Sequence, residues 1–240
     1  MKKILTTAIL CAGLVGFTAC DSFLDEDPKS SLTLDTYYKT SADIIGNVNY
    51  LYRDGAPDKM GNMTGAYRGS SLSVMNMVTG YFVNEYEGQE VDCSYARQLT
   101  RQDFTQSCCN YLTNDTWKSC YKSINVANAV IKYVDGVEMD NQAQYKAEAR
   151  FFRALNYFYL VKMFGDVPMV TEPTEDATLV EYPTRTAASE VFNTVIIPDL
   201  QFAVENLPNA TFAGNSHRVT KYAADMLLAD VYMRLGEYAN

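Results

Sequence analysis

Between residues 82 and 104 the sequence places side chains that could hold a ligand at a surface. Tyr81, Tyr86 and Tyr95 stand beside Asn84, Glu85, Asp92, Arg97 and Gln98. Flat aromatic faces match the C–H surfaces of a sugar ring, and amides and carboxylates match its hydroxyls. Residues 83–103 show no helical or strand period, and a loop this long in a packed domain is usually functional or disordered. A surface loop with packed tyrosines fits the same residues. Tyr67 and Arg68 are further candidates of the same kind.

Other reactive constellations are weaker. Glu148, Arg150 and Arg153 lie on one helical stretch. Their spacing suits bracing of neighbouring helices better than acid–base work. His217 is the only histidine among 240 residues, which removes every metal site built on several histidines. It also removes nucleophilic chemistry that needs more than one imidazole. Of the 29 carboxylates, no pair sits in a setting recognisable for glycoside hydrolysis. There is no phosphate-binding loop and no dinucleotide fingerprint. The expectation is a protein that is not an enzyme and needs no metal or cofactor.

The cysteines divide by position. Lys2 and Lys3 precede an apolar run from Ile4 to Phe17, and Thr18-Ala19-Cys20 follows. A basic start, a short apolar core and a small residue before Cys mark residues 1–19 as a lipoprotein signal peptide. Cleavage would leave Cys20 as the lipidated residue. An ordinary secretory signal with a chance cysteine is the alternative. The two or three acyl chains of a bacterial lipoprotein anchor stably. Cys93, Cys108, Cys109 and Cys120 remain, and export permits disulfides among them. Four cysteines allow three pairings, and buried free thiols fit equally well.

Composition narrows the partners. Two of the 20 basic residues leave with the leader, so 18 face 29 acidic ones, a net charge of −11. That disfavours nucleic acid or an anionic membrane surface and is neutral towards sugars. Residues 20–40 carry Asp21, Asp25, Glu26, Asp27 and Pro28, an acidic, extended tether.

Helices frame these residues. Ser41 opens one behind a Thr40 hydroxyl cap, with Ile44, Ile45, Val48, Leu51 and Tyr52 inward and a stop at Asp54-Gly55. A weaker helix is expected over Ser70–Phe82. Thr113–Val134 follows, with Trp117, Tyr121, Ile124, Asn128 and Ile131 on one face. Asn125 and Asn128 need buried partners, which neighbouring helix ends or the loop above would supply. Gln142–Phe164 is a long helix with seven aromatics between Tyr145 and Phe164, rich enough to require cover on more than one side. Gly165 and Pro168 end it. Thr184–Leu207 is expected as one helix, capped by Thr186 and kinked at Pro198. Thr220 caps the last, with Ala224, Leu227, Leu228, Val231 and Leu235 inward. No segment alternates like a strand. The fold class is all-α, in antiparallel helical hairpins with long loops.

The last helix carries the pattern of a tetratricopeptide (TPR) first helix: Leu228-Ala229, Tyr232, and a turn at Gly236 and Tyr238. Half a repeat cannot bury its apolar side. The pattern therefore predicts that residues 41–240 stop inside a repeat, as the N-terminal portion of a longer domain. The alternative is a capping helix with a polar outer face, and Tyr222, Met226 and Met233 do not suit it. Exposure of Leu227, Val231 and Leu235 would then predict marginal stability or aggregation.

Four features together resemble the SusD/RagB family of outer-membrane nutrient-binding lipoproteins. They are Cys20 with Phe23-Leu24-Asp25 and Pro28; Trp117, Tyr121, Ile124, Asn125 and Asn128; Ala147-Glu148-Ala149-Arg150-Phe151-Phe152-Arg153-Ala154 through Gly165-Asp166-Val167-Pro168; and Ile197-Pro198-Asp199-Leu200 with Arg218-Val219-Thr220-Lys221 and Ala223-Ala224. The acidic run after Cys20 also resembles the surface-export signal of Bacteroidetes lipoproteins. The resemblance implies a TPR-based α/α superhelix, here incomplete. It implies a lipid-anchored protein of the cell outer membrane facing the exterior. It further implies a SusC-type TonB-dependent transporter as partner, with an oligosaccharide or glycan as ligand in polysaccharide utilisation. Family members place binding aromatics in loops of the 82–104 region, without a residue-level match here. A structural TPR adaptor that binds only protein is the alternative.

Overall fold

The computed structural model describes residues 33–53, 79–81, 100–102, 115–175 and 183–237. Within the unit that begins at Leu34 the described elements are helical. A one-turn helix, α1, spans Leu34–Tyr37, and α2 spans Ser41–Arg53. Asp115–Tyr133 forms α3 and Gln142–Phe164 forms α4. Then come α5, Ala188–Val191, a π-helical turn over Phe192–Ile196, and α6, Ile197–Asn206. Lys221–Leu235 forms α7. Among the described residues there is no strand, only one antiparallel bridge between Val167 and Thr186.

The centre is α4. Between Ala147 and Val161 none of its residues is exposed, so the aromatic-rich helix is covered all round. It packs against α3 on one side and α6 on another, with α2 across the α3–α4 pair and α7 beyond α6. Tyr157 and Leu160 are fully buried with Ile44, Val48 and Leu51 of α2, Ile124 and Val130 of α3, and Leu200 of α6. Hydrophobic burial at these crossings supplies the cohesion of the unit. The helix ends where Gly165 takes a φ of 69°, a left-handed value that a side chain would resist.

Local caps follow the sequence in places. The Thr40 amide donates to Asp43 Oδ2 at 2.8 Å, and the Asp43 amide returns to Thr40 Oγ1 at 3.3 Å, a reciprocal cap on α2. The Thr40 hydroxyl, and then its amide, hold the Asp43 carboxyl below its ordinary range.

Four expectations change. Thr79–Tyr81 form a turn, with Gly80 at φ 78°, where the last turn of a helix over Ser70–Phe82 was expected. Thr186 does not cap the helix after it: that helix begins at Ala188 with Ala187 in the cap position, and Thr186 exchanges backbone hydrogen bonds with Val167. The amide of Ala188 instead donates to Asp166 Oδ1 at 2.9 Å, a cap supplied from across the fold. Pro198 does not simply kink one long helix: a wide π turn precedes α6, whose first turn holds Pro198, where its missing N–H costs little. Finally, the apolar face left open on α7 is not that of Leu227, Val231 and Leu235. Val231 is buried and the two leucines are half-buried, whereas Tyr222, Met226 and Met233 are exposed.

Candidate functional site

Tyr81 is the one residue of the sequence-derived binding set within the described residues. It follows the Thr79–Gly80 turn, its amide donates to Thr79 Oγ1 at 3.3 Å, and its ring is 90 % exposed. Asn84, Glu85, Tyr86, Asp92, Tyr95, Arg97 and Gln98 lie outside the described residues, as do Cys20, Tyr67 and Arg68 and the cysteines Cys93, Cys108 and Cys109. Cys120 is a buried free thiol. The described residues hold no group of three His, Cys, Asp or Glu side chains suited to a metal ion, and no helix long and apolar enough to cross a membrane.

The residues that resemble catalytic groups form two buried hubs. Glu148, fully buried on α4, accepts three hydrogen bonds from Arg218 at 2.6–3.0 Å. It accepts others from the Tyr52 hydroxyl at 2.9 Å and Gln144 Nε2 at 3.1 Å. Arg218 also donates to Asn49 Oδ1 at 2.7 Å, and its guanidinium lies 4.9 Å from the Tyr52 ring centroid and 5.3 Å from that of Tyr145. The Tyr52 hydroxyl in turn accepts the Val219 amide. Burial, then the Glu148 charge, push the Tyr52 phenol far above its ordinary value. One carboxylate thus ties α2, α4 and the approach to α7 together.

The second hub joins α3, α4 and α6. Arg153 donates to both oxygens of Asp199, at 2.7 and 2.9 Å, and to Asn128 Oδ1 at 2.9 Å. Arg150 approaches Asp199 at 3.7 Å and lies 4.2 Å from the Phe202 ring centroid. Burial raises the Asp199 carboxyl, and Arg153 and Arg150 pull against that rise. Asn128 passes the connection on, donating to the carbonyls of Val170 and Glu172 at 3.0 and 3.2 Å.

Asn128 belongs to a polar ladder along α3 that pins the extended segment 168–175. Tyr121 donates to the Pro168 carbonyl at 2.7 Å, Asn125 Oδ1 accepts the Thr174 amide at 2.7 Å, and Lys132 pairs with Glu175 at 2.7 Å. From α4 the Tyr157 hydroxyl donates to the Val170 carbonyl and accepts its amide. The two asparagines thus find their partners in the segment above α3. Both hub carboxylates are enclosed and saturated by arginine, an arrangement that braces helices and leaves no room for a reacting bond. The roles of Tyr52, Arg218, Asp199 and Asp166 are not announced by any one residue's local pattern. Their signal was present, since Asp199 and Arg218 stand within the Ile197–Leu200 and Arg218–Lys221 motifs.

On α7 the exposed residues Tyr222, Met226, Ala229 and Met233 recur at steps of four, three and four, an apolar stripe opposite the buried Ala224 and Val231. The carboxylates of Asp225 and Asp230 flank it.

A family model described as "Starch-binding associating with outer membrane", of the SusD-like group, matches residues 22–233. A SusD-like protein P2 of Formosa agariphila is 29 % identical over 241 residues, covering 99 % of this chain and 44 % of the relative. A solved "Laminarin binding SusD-like protein" superposes with a TM-score of 0.67 at 24 % identity, over 83 % of this chain and 41 % of that one. A crystal structure described as being with xylogluco-oligosaccharide gives a TM-score of 0.58 at 24 % identity, over 79 % of this chain and 34 % of that one. At these identities the structural likeness speaks for the fold. The chain spans less than half the length of the relatives it matches.

Proposed function

The chain belongs to the SusD-like family, and from that membership we propose that it is a glycan-binding lipoprotein of the outer membrane. The family match over residues 22–233 is the observation that carries the reading. The leader ending at Cys20 supports the lipid anchor, and the acidic residues behind it support exposure to the exterior. The partner in this reading is a SusC-type TonB-dependent transporter that receives the captured oligosaccharide. No catalytic step is assigned, since the two buried carboxylate hubs are explained by bracing.

The glycan is met by the loop that begins at Tyr81, with Asn84, Glu85, Tyr86, Asp92, Tyr95, Arg97 and Gln98 as the contacting set. Tyr81 supports this reading, because its ring is nine-tenths exposed and it directly precedes that segment in the sequence. The test is retention of the full chain in gels containing laminarin, xyloglucan or starch, compared with Tyr81→Ala. Retarded migration that Tyr81→Ala relieves supports the site. Retention untouched by Tyr81→Ala moves the ligand elsewhere, and no retention in any gel counts against glycan binding. Metabolic labelling with a radioactive fatty acid, lost in Cys20→Ala, tests the anchor.

A second reading, an adaptor that binds protein alone, draws on the open stripe of α7. Co-purification of a protein partner that is abolished by Met226→Glu and unaffected by saturating glycan would favour it.

A further inference from the structure

We propose that the turn over residues 211–217 is a second carbohydrate contact, in which a pyranose ring stacks on Phe212 with His217 at its edge. The proposal rests on the glycan-binding reading above. Phe212 is 60 % exposed, and its ring centroid lies 5.2 Å from that of His217 with the planes at 78°. The imidazole nitrogens carry no hydrogen bond among the described residues and are open to a hydroxyl. Thr211 and Ser216, the sequence neighbours of these two residues, are exposed as well.

The turn is built rather than loose. The Gly214 amide donates to Thr211 Oγ1 at 3.1 Å and the Asn215 amide to the Thr211 carbonyl at 3.0 Å. The His217 amide donates to the Phe212 carbonyl at 2.9 Å, and Asn215 Nδ2 to the Val219 carbonyl at 2.9 Å. A Cβ on Gly214 would meet the Thr211 Oγ1 side-chain atom at 3.0 Å, a tight contact. Ser216 and His217 both adopt left-handed backbone, at φ 51° and 61°, a conformation that side chains resist. Arg218, the next residue, enters the Glu148 hub. Delivery of Arg218 does not require an aromatic ring at Phe212 facing solvent.

The surroundings favour a sugar over a protein. A protein interface needs a contiguous apolar core with a polar rim. The stripe on α7 has that form, and the 211–217 turn does not. One exposed ring with an imidazole against it matches one pyranose, with C–H groups for the face and hydroxyls for the ring nitrogens. A turn already held by its own hydrogen bonds loses little freedom on binding.

His217 is the only histidine, so an untagged full chain gives one set of imidazole resonances. The chain is titrated with laminarin oligosaccharide, xylogluco-oligosaccharide and maltoheptaose while the His217 Cε1–H signal is followed and affinity is measured by calorimetry. The expected result is a saturable shift of that signal, with binding weakened about fivefold in Phe212→Ala and retained in Phe212→Tyr, at unchanged melting temperature. A glycan that binds without moving the His217 signal, or equally well to Phe212→Ala, overturns this contact and leaves the glycan reading intact. Failure of the wild-type chain to bind any of the three overturns both.

Discussion

Glu148 shows how a charged residue comes to be fully buried. Its two oxygens meet Arg218, Tyr52 and Gln144, so no lone pair faces hydrocarbon unpaired. Removing one member of such a pair strands the other. Glu148→Gln should lower the unfolding free energy by about 3 kcal/mol, read by urea denaturation. Adding Arg218→Met should restore much of it, because the stranded cation is then gone. A loss well under 1 kcal/mol in Glu148→Gln would remove the bracing argument. Cys120 is a simpler case. Burial pushes its thiol up to about 12, so the thiolate is almost absent at pH 8. Iodoacetamide should leave Cys120 unmodified in the folded chain and label it in urea, as read by peptide mass mapping.

Helices here are fastened by side chains that reach out to irregular backbone. The extended segment 168–175 has no sheet partner along its length, so its amides and carbonyls depend on Tyr121, Asn125, Asn128 and Tyr157. Tyr157→Phe removes the acceptor of the Val170 amide while keeping the ring. Exchange of that amide with deuterium should accelerate at least tenfold, with a stability loss of about 1–2 kcal/mol. An unchanged rate would mean that the Tyr157 hydroxyl does not protect it. Asp166 plays a matching part at the start of α5. Asp166→Ala should cost about 1 kcal/mol, the usual worth of an N-cap, although the donor lies 22 residues further on. A thermal melt checks this, and Thr186→Ala should be milder because its role there is carried by backbone.

At the scale of the molecule, the balance between covered and open apolar surface is the informative feature. α4 is enclosed on every side, whereas α7 buries Ala224 and Val231 and leaves Tyr222, Met226 and Met233 in solvent. A contiguous stripe of this kind marks a contact surface or an association hazard. Met226→Glu combined with Met233→Glu should weaken retention on a hydrophobic resin and shift the melting temperature by no more than about 2 °C, since both side chains are mostly in water. A large drop in melting temperature would show that these methionines support the fold.

Much of the helical order could be read without coordinates. The bounds of α4 from Gln142 to Phe164, its exit at Gly165 and the inward faces of α2, α3 and α6 followed from period and punctuation, because apolar spacing is a local property of the chain. So did the family, since its motifs are contiguous runs. Caps and partners were not legible where they join distant residues. Asp166 caps α5, Arg218 reaches Glu148 across 70 positions and Asp199 receives Arg153 across 46. Nothing in a linear pattern says which buried charge will face which. Which side of α7 stays open was likewise decided by packing, because the helix is apolar on both faces and α6 covers only one. Local spacing and contiguous motifs made α2, α3, α4 and α7 and the family legible, because both are properties of neighbouring residues; packing between distant segments made the conspicuous charges of α4 internal braces and left one exposed ring at Tyr81 and another at Phe212.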